Sequence, residues 1–219
     1  MIKNNLNYYL TNMALYDEDM ERELPGKQAK PETLQPLKSS AWEESERGVY
    51  IPESVLYLVG EIAEYSLFDF MTKVRTIIRE RDESYKDEAL NLIINSPGGD
   101  VSEMFGIIDF MELIDTKVNT ICRGSAQSAG AIILACGTGQ RAASKHSTIM
   151  FHQGSTFSQG KLSDVRAGLE YSKSVEAKIY KLLGEKTKKP AEWWEEKMKS
   201  DFYLTAEDAL DLGVIDTIG

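Results

Sequence analysis

The segment Ile121–Ala131, ICRGSAQSAGA, sets two serines three residues apart in a run of Gly, Ala and Ser. A serine hydroxyl becomes a useful nucleophile when a neighbouring base takes its proton. On a sharp strand-to-helix turn, the residues two before and two after such a serine must be small, because the chain folds tightly there. Ser128 has Ala126 and Gly130 at those positions, whereas Ser125 has Arg123 and Gln127. The steric argument selects Ser128. A Gly/Ser-rich turn that packs a helix closely on a sheet uses the same residue types, so the serine needs a base to corroborate it.

The chain has two histidines, His146 and His152. His152 directly follows the apolar run TIMF, at the carboxyl end of an expected strand, where open α/β sheets place their active groups. His146 lies in the polar loop ASKHS, where a solvated side chain is the plain reading. His152 is therefore the candidate general base. An acid must orient that imidazole, and spacing does not choose one among the 35 Asp and Glu residues. A second Gly-rich turn, INSPGGD (Ile94–Asp100), also lies between an expected strand and a helix. The chain has neither GxxxxGK nor GxGxxG, which argues against a nucleotide site. The turn suits an oxyanion hole better, with the Gly99 N–H aimed at a carbonyl held by Ser128.

Strands and helices alternate around these residues. VLYLVG from Val55, ALNLIIN, VNTIC and TIMF read as buried strands, and VSEMFGIIDFMELI and AGAIILACG as helices. Ser66 and Asp69 resemble a helix start before Leu67, Phe70, Met71, Val74, Ile77 and Ile78. A long helix is expected from about Leu162 to Leu183, and Pro190 opens another in PAEWWEEKMK. Thr205 and Asp208 form a capping-box pattern, with Gly213 as the stop. Such alternation predicts βαβ units and a largely parallel sheet, an α/β fold.

Composition sets the outer bounds. The 219 residues suit one sizeable domain, and the net charge of -10 argues against a nucleic-acid partner. No stretch reaches the roughly 18 consecutive apolar residues of a membrane span, and the N-terminus lacks a continuous apolar signal core. Cys122 and Cys136 both lie in apolar runs, as buried free thiols of a reducing compartment would, so a cytoplasmic address is expected. Residues 1–48 hold Pro25, Pro31 and Pro36 among long polar runs and read as a flexible N-terminal arm.

Taken together, INSPGGDV, ICRGSAQSAGA, IMFHQG and YLTAEDALDLGVID closely resemble, in order and spacing, the proteolytic subunit of the Clp protease. The resemblance runs from about Val55 to Ile218 and makes residues 49–219 a ClpP-type peptidase domain. It implies Ser128 as nucleophile, His152 as base, Asp201 as the third triad member, and Gly99 and Ala129 as backbone oxyanion donors. It further implies a crotonase-like β-α spiral with a protruding helical handle, and self-compartmentalising seven-membered rings. An AAA+ ATPase would feed in unfolded polypeptides; ATP would be used by that partner, and the peptidase would need no metal or organic cofactor. The chain departs from the family's pattern at Ala129, Gly154, Asn91, Ile93, Lys199 and Ser200. The resemblance leaves room for two other roles: an ATPase-independent maturation or signal-peptide-type peptidase, and a mainly structural ring subunit.

Overall fold

The computed structural model describes residues 48–155 and 159–219, and apart from Gly48 the expected N-terminal arm lies outside them. The strands are β1 (Val49–Tyr50), β2 (Val55–Ile62), β3 (Leu90–Gly99), β4 (Val118–Gln127), β5 (Arg141–Ala143), β6 (Thr148–Phe151), β7 (Phe202–Leu204) and β8 (Thr217–Ile218). The α-helices are α1 (Ser66–Glu80), α2 (Val101–Leu113), α3 (Ala129–Ala135), α4 (Leu162–Lys186), α5 (Ala191–Lys197) and α6 (Ala206–Leu212).

The strands run β1-β2-β3-β4-β5-β8, parallel from β2 to β8, with β1 antiparallel at the edge. Strand β4 serves two neighbours in turn. Its first half (Thr120–Cys122) pairs with β5 and its last three residues with β6, which continues antiparallel into β7. The sheet therefore forks at Gly124, whose φ of 99 is accessible to glycine at little cost.

Alternate strand residues point into the core: Leu56 and Leu58, Leu90, Leu92 and Ile94, Val118 and Cys122 are all buried. They meet Phe70, Val74 and Ile77 of α1 and Met104, Ile107 and Met111 of α2. Thr120 shares that face, and its hydroxyl donates to the Leu134 carbonyl at 2.7 Å, so a polar group is buried without loss. Helix α3 is buried along its whole length, which accounts for its run of small and aliphatic residues.

Local signals held in most places. Thr205 and Asp208 make a reciprocal capping box, and Gly213 ends α6 at φ 74. Asp100 caps α2 by accepting the Glu103 N–H at 2.9 Å. At α1 the expected start is corrected. Tyr65, at φ 75, is the capping residue; the Ser66 hydroxyl turns back to accept the Ala63 N–H, and Asp69 pairs with Lys73 at 2.6 Å. Among the described residues no helix is long and apolar enough to cross a membrane.

Cys122 and Cys136 are free and buried. Burial pushes both thiols up, that of Cys136 to about 12. A thiolate is the reactive form, so neither cysteine is expected to react with Ellman's reagent in the native protein at pH 8, while both react in denaturant. Rapid native labelling of either would contradict this packing.

Candidate active site

Four strand ends meet at one place. Strand β3 carries one residue, Asn95, between the pairs Ile94–Cys122 and Ser96–Ala126, where β4 carries three (Arg123–Ser125). Such a bulge bends and twists the strand that contains it. The Asn95 Oδ1 fills the gap by accepting the Ser125 N–H at 3.1 Å, and a Cβ on Gly124 would come within 2.9 Å of that oxygen. The bent end of β4 delivers Ser128 to the mouth of α3.

Ser128 stands at φ 51 and ψ -122, a conformation that costs a non-glycine residue about 1–3 kcal/mol. The surroundings hold it there. Its N–H donates to the Met150 carbonyl at 2.8 Å, and its carbonyl accepts the Ala131 and Ile132 N–H groups at 3.0 and 3.1 Å. Small neighbours are required on both sides. A Cβ on Gly98 would lie 2.7 Å from the Ser128 Cβ and 2.9 Å from the Ala129 nitrogen, and one on Gly130 would lie 3.3 Å from the Ser96 Cβ.

His152 follows β6, and its Nε2 is 2.9 Å from the Ser128 Oγ. That is hydrogen-bonding distance between a hydroxyl and a base.

The opposite side of the imidazole is set by register. In the antiparallel pair β6–β7, Ile149 faces Leu204, Met150 faces Tyr203 and Phe151 faces Phe202. One step further puts His152 opposite Asp201, and the Nδ1 to Oδ1 distance is 3.9 Å. That is an ion-pair separation, too long for a hydrogen bond. The Asp201 side chain is 59% exposed, the His152 ring 29%. Beneath the pair, Phe151 packs on the fully buried Trp194 at 4.9 Å between ring centroids, and Phe202 packs edge-on against Trp193 at 5.7 Å. The Trp194 indole N–H donates to the Thr187 hydroxyl at 2.8 Å, so its polar edge is satisfied too.

A family model described as Clp protease matches residues 52–219. The chain belongs to the Clp protease family. The ATP-dependent Clp protease proteolytic subunit 1 of Prochlorococcus marinus (strain NATL2A) is 36% identical over 140 residues, which cover 64% of this chain and 70% of that relative. As a member of the Clp protease family, the chain is a serine-type peptidase.

Within this Clp protease chain, the two serines of the opening motif have separate fates. The Ser125 hydroxyl accepts from the Gln127 side-chain amide at 2.8 Å, and the imidazole goes to Ser128. His146 is exposed in its loop, as expected. Gly98, near the end of β3, lies against Ser128 and the Ala129 amide, and Gly99 follows it against the Ile62 backbone. Sequence reasoning passed over two supporting residues, Asn95 and Ser96. Their signal was faint, being an Asn-Ser pair placed just before Pro-Gly-Gly.

Proposed function

We propose that this peptidase cleaves peptide bonds of unfolded polypeptides through Ser128, His152 and Asp201. The observation that carries the reading is the 2.9 Å contact of His152 Nε2 with the hydroxyl of a serine held at positive φ. Neutral His152 takes the Ser128 proton as Oγ bonds to the peptide carbonyl carbon. The proton then passes to the departing amine as the C–N bond breaks. Water, deprotonated by the same imidazole, releases the acyl group and restores Ser128. The negative oxygen of each tetrahedral intermediate is met by the Ala129 and Gly99 N–H groups. The turn's other amides support the choice of Gly99: Gly98 donates to Ser96 at 3.1 Å and Asp100 to the Ile62 carbonyl at 2.6 Å. None of these steps calls for a metal or an organic cofactor.

Asp201 stabilises the imidazolium by charge at its present distance. Its half-exposed carboxylate is screened by water, so its share is smaller than that of a buried triad acid. His152→Gln is expected to lower kcat by at least about 10⁴-fold, and Asp201→Asn by about 10²-fold. His146→Gln should leave kcat within about twofold. Steady-state hydrolysis of a fluorogenic peptide checks all three. Loss with His146→Gln and survival with His152→Gln would reverse the assignment.

The forked sheet and the 25-residue α4 support a crotonase-type spiral with a helical handle. Leu162, Leu169 and Tyr171 of α4 are 68%, 47% and 66% exposed, as suits a surface covered by other subunits of a seven-membered ring assembly. Lys199 pairs with Glu196 of its own chain at 2.5 Å, and Ser200 carries no charge, so the acid–arginine tie between rings is missing. Single rings, or double rings that depend on a paralogous subunit, are expected on sedimentation. A salt-insensitive double ring at sub-micromolar concentration would contradict this.

An AAA+ unfoldase supplying substrate is part of the same reading, as is a reducing, cytoplasmic-type compartment, which the two buried thiols suit. One observation favours an ATPase-independent peptidase instead. On the strand expected to dock the ATPase, the Asn91 amide is engaged with Asn119 at 3.0 Å and the Glu53 carbonyl at 3.1 Å, so no aromatic side chain is offered at that position. Degradation of a full-length unfolded protein with and without added ATPase separates the two.

A further inference from the structure

Ser96 lies directly beneath the serine turn and is 1% exposed. Strands β2 and β3 fall out of step beside it: Val59 faces Asn95, but the next pair is Glu61 with Gly98, so β3 has one residue more than β2. Pro97 sits in that extra length and has no N–H to give to the ladder. The Ser96 hydroxyl donates to the Gly60 carbonyl of β2 at 2.6 Å, and the same oxygen accepts the Gly98 N–H at 3.1 Å. A hydroxyl offers one donor and two lone pairs, so fixing its proton on Gly60 directs a lone pair at Gly98.

The consequence concerns the next peptide. Gly98 and Gly99, at φ 95 and 146, have rotational freedom that other residues lack. The peptide before them is held by Ser96 and the peptide after them by the Ile62 carbonyl, which accepts the Asp100 N–H at 2.6 Å. The plane between those anchors carries the Gly99 N–H.

We infer that Ser96 is a positioning residue for the oxyanion hole: its hydroxyl, bridging Gly60 and Gly98, aims the Gly99 N–H at the carbonyl attacked by Ser128. The inference rests on the proposed roles of Gly99 and Ser128. Removing an oxyanion donor costs about 10²–10³-fold in kcat, so a mis-aimed donor should cost about 10–10²-fold.

The test compares wild type with Ser96→Ala, and with Ser96→Cys, which keeps the side-chain volume with a poor donor and acceptor. Three quantities are read on folded native protein: kcat, KM and the inhibition constant of a peptidyl boronate, whose tetrahedral adduct mimics the intermediate. Both variants are expected to lose about 10–10²-fold in kcat and a similar factor in boronate affinity, with KM within about twofold. A merely structural role would not move boronate affinity in step with kcat. The inference is overturned if a folded variant keeps wild-type kcat, if only KM changes, or if kcat falls while boronate affinity does not. If Ser128→Ala itself stays active, the catalytic reading fails instead, and the two failures are thereby told apart.

Discussion

Ser128→Ala is expected to lower kcat for peptide hydrolysis by up to roughly 10⁶-fold while leaving the protein folded. The loss is large because nucleophile and base act as a unit: without the Oγ, His152 has no proton to take. The fold survives because the strained backbone at φ 51 is held by main-chain hydrogen bonds to Met150, Ala131 and Ile132, which alanine retains. Ser125→Ala is the matched control. Its hydroxyl is engaged by Gln127, and its removal should keep most of the activity. Circular dichroism and peptide hydrolysis together check the pair. A Ser128→Ala protein that still turns over would refute the assignment.

Gly98→Ala should act on stability and activity together. The added Cβ would lie 2.7 Å from both the Gln127 carbonyl oxygen and the Ser128 Cβ, and 2.9 Å from the Ala129 nitrogen. These are backbone and turn atoms with little room to give. Glycine's φ of 95 adds a conformational cost of about 1–2 kcal/mol for any other residue. Forcing a methyl into packed surroundings adds about 1–3 kcal/mol more. At about 2–4 °C per kcal/mol for a chain of this size, Tm should fall by roughly 5–15 °C. Moving Ser128 and the Ala129 amide apart by even part of an ångström should also lower kcat at least about 10²-fold. Gly154→Ala is the control, since a Cβ there meets nothing within 4 Å. Its Tm and kcat should stay at the wild-type values, as checked by calorimetry and steady-state rates at matched protein concentration.

Much of this site was legible because its signals are local. Ser128 stood out through the small residues at 126 and 130, His152 through its place after an apolar strand, and α6 through its capping box. What was hidden depends on pairing between distant segments. Strand β7 is three residues long and shows no periodicity of its own; antiparallel pairing with β6 makes it a strand and carries Asp201 to His152. No spacing rule could select that acid, because 49 positions separate it from the histidine and the register alone joins them. The run VNTIC predicts a strand that ends at Cys122, since Gly124 and Ser125 look like turn residues. The Asn95 side chain repairs the interrupted ladder, so the strand continues to Gln127 and the turn falls at Ser128 instead. Ser66 misled for a related reason: its hydroxyl does bond a backbone N–H, but that of Ala63, outside the helix.

The most direct test of the central claim is fluorophosphonate labelling of the native full-length protein, followed by proteolysis and mass spectrometric mapping. Covalent modification of an unactivated serine is slow, so the site and rate report both the nucleophile and its base. A single adduct on Ser128 is expected, abolished by Ser128→Ala and slowed at least about 10²-fold by His152→Gln. An adduct on Ser125, or labelling of Ser128 at an unchanged rate without His152, would contradict the assignment of nucleophile and base.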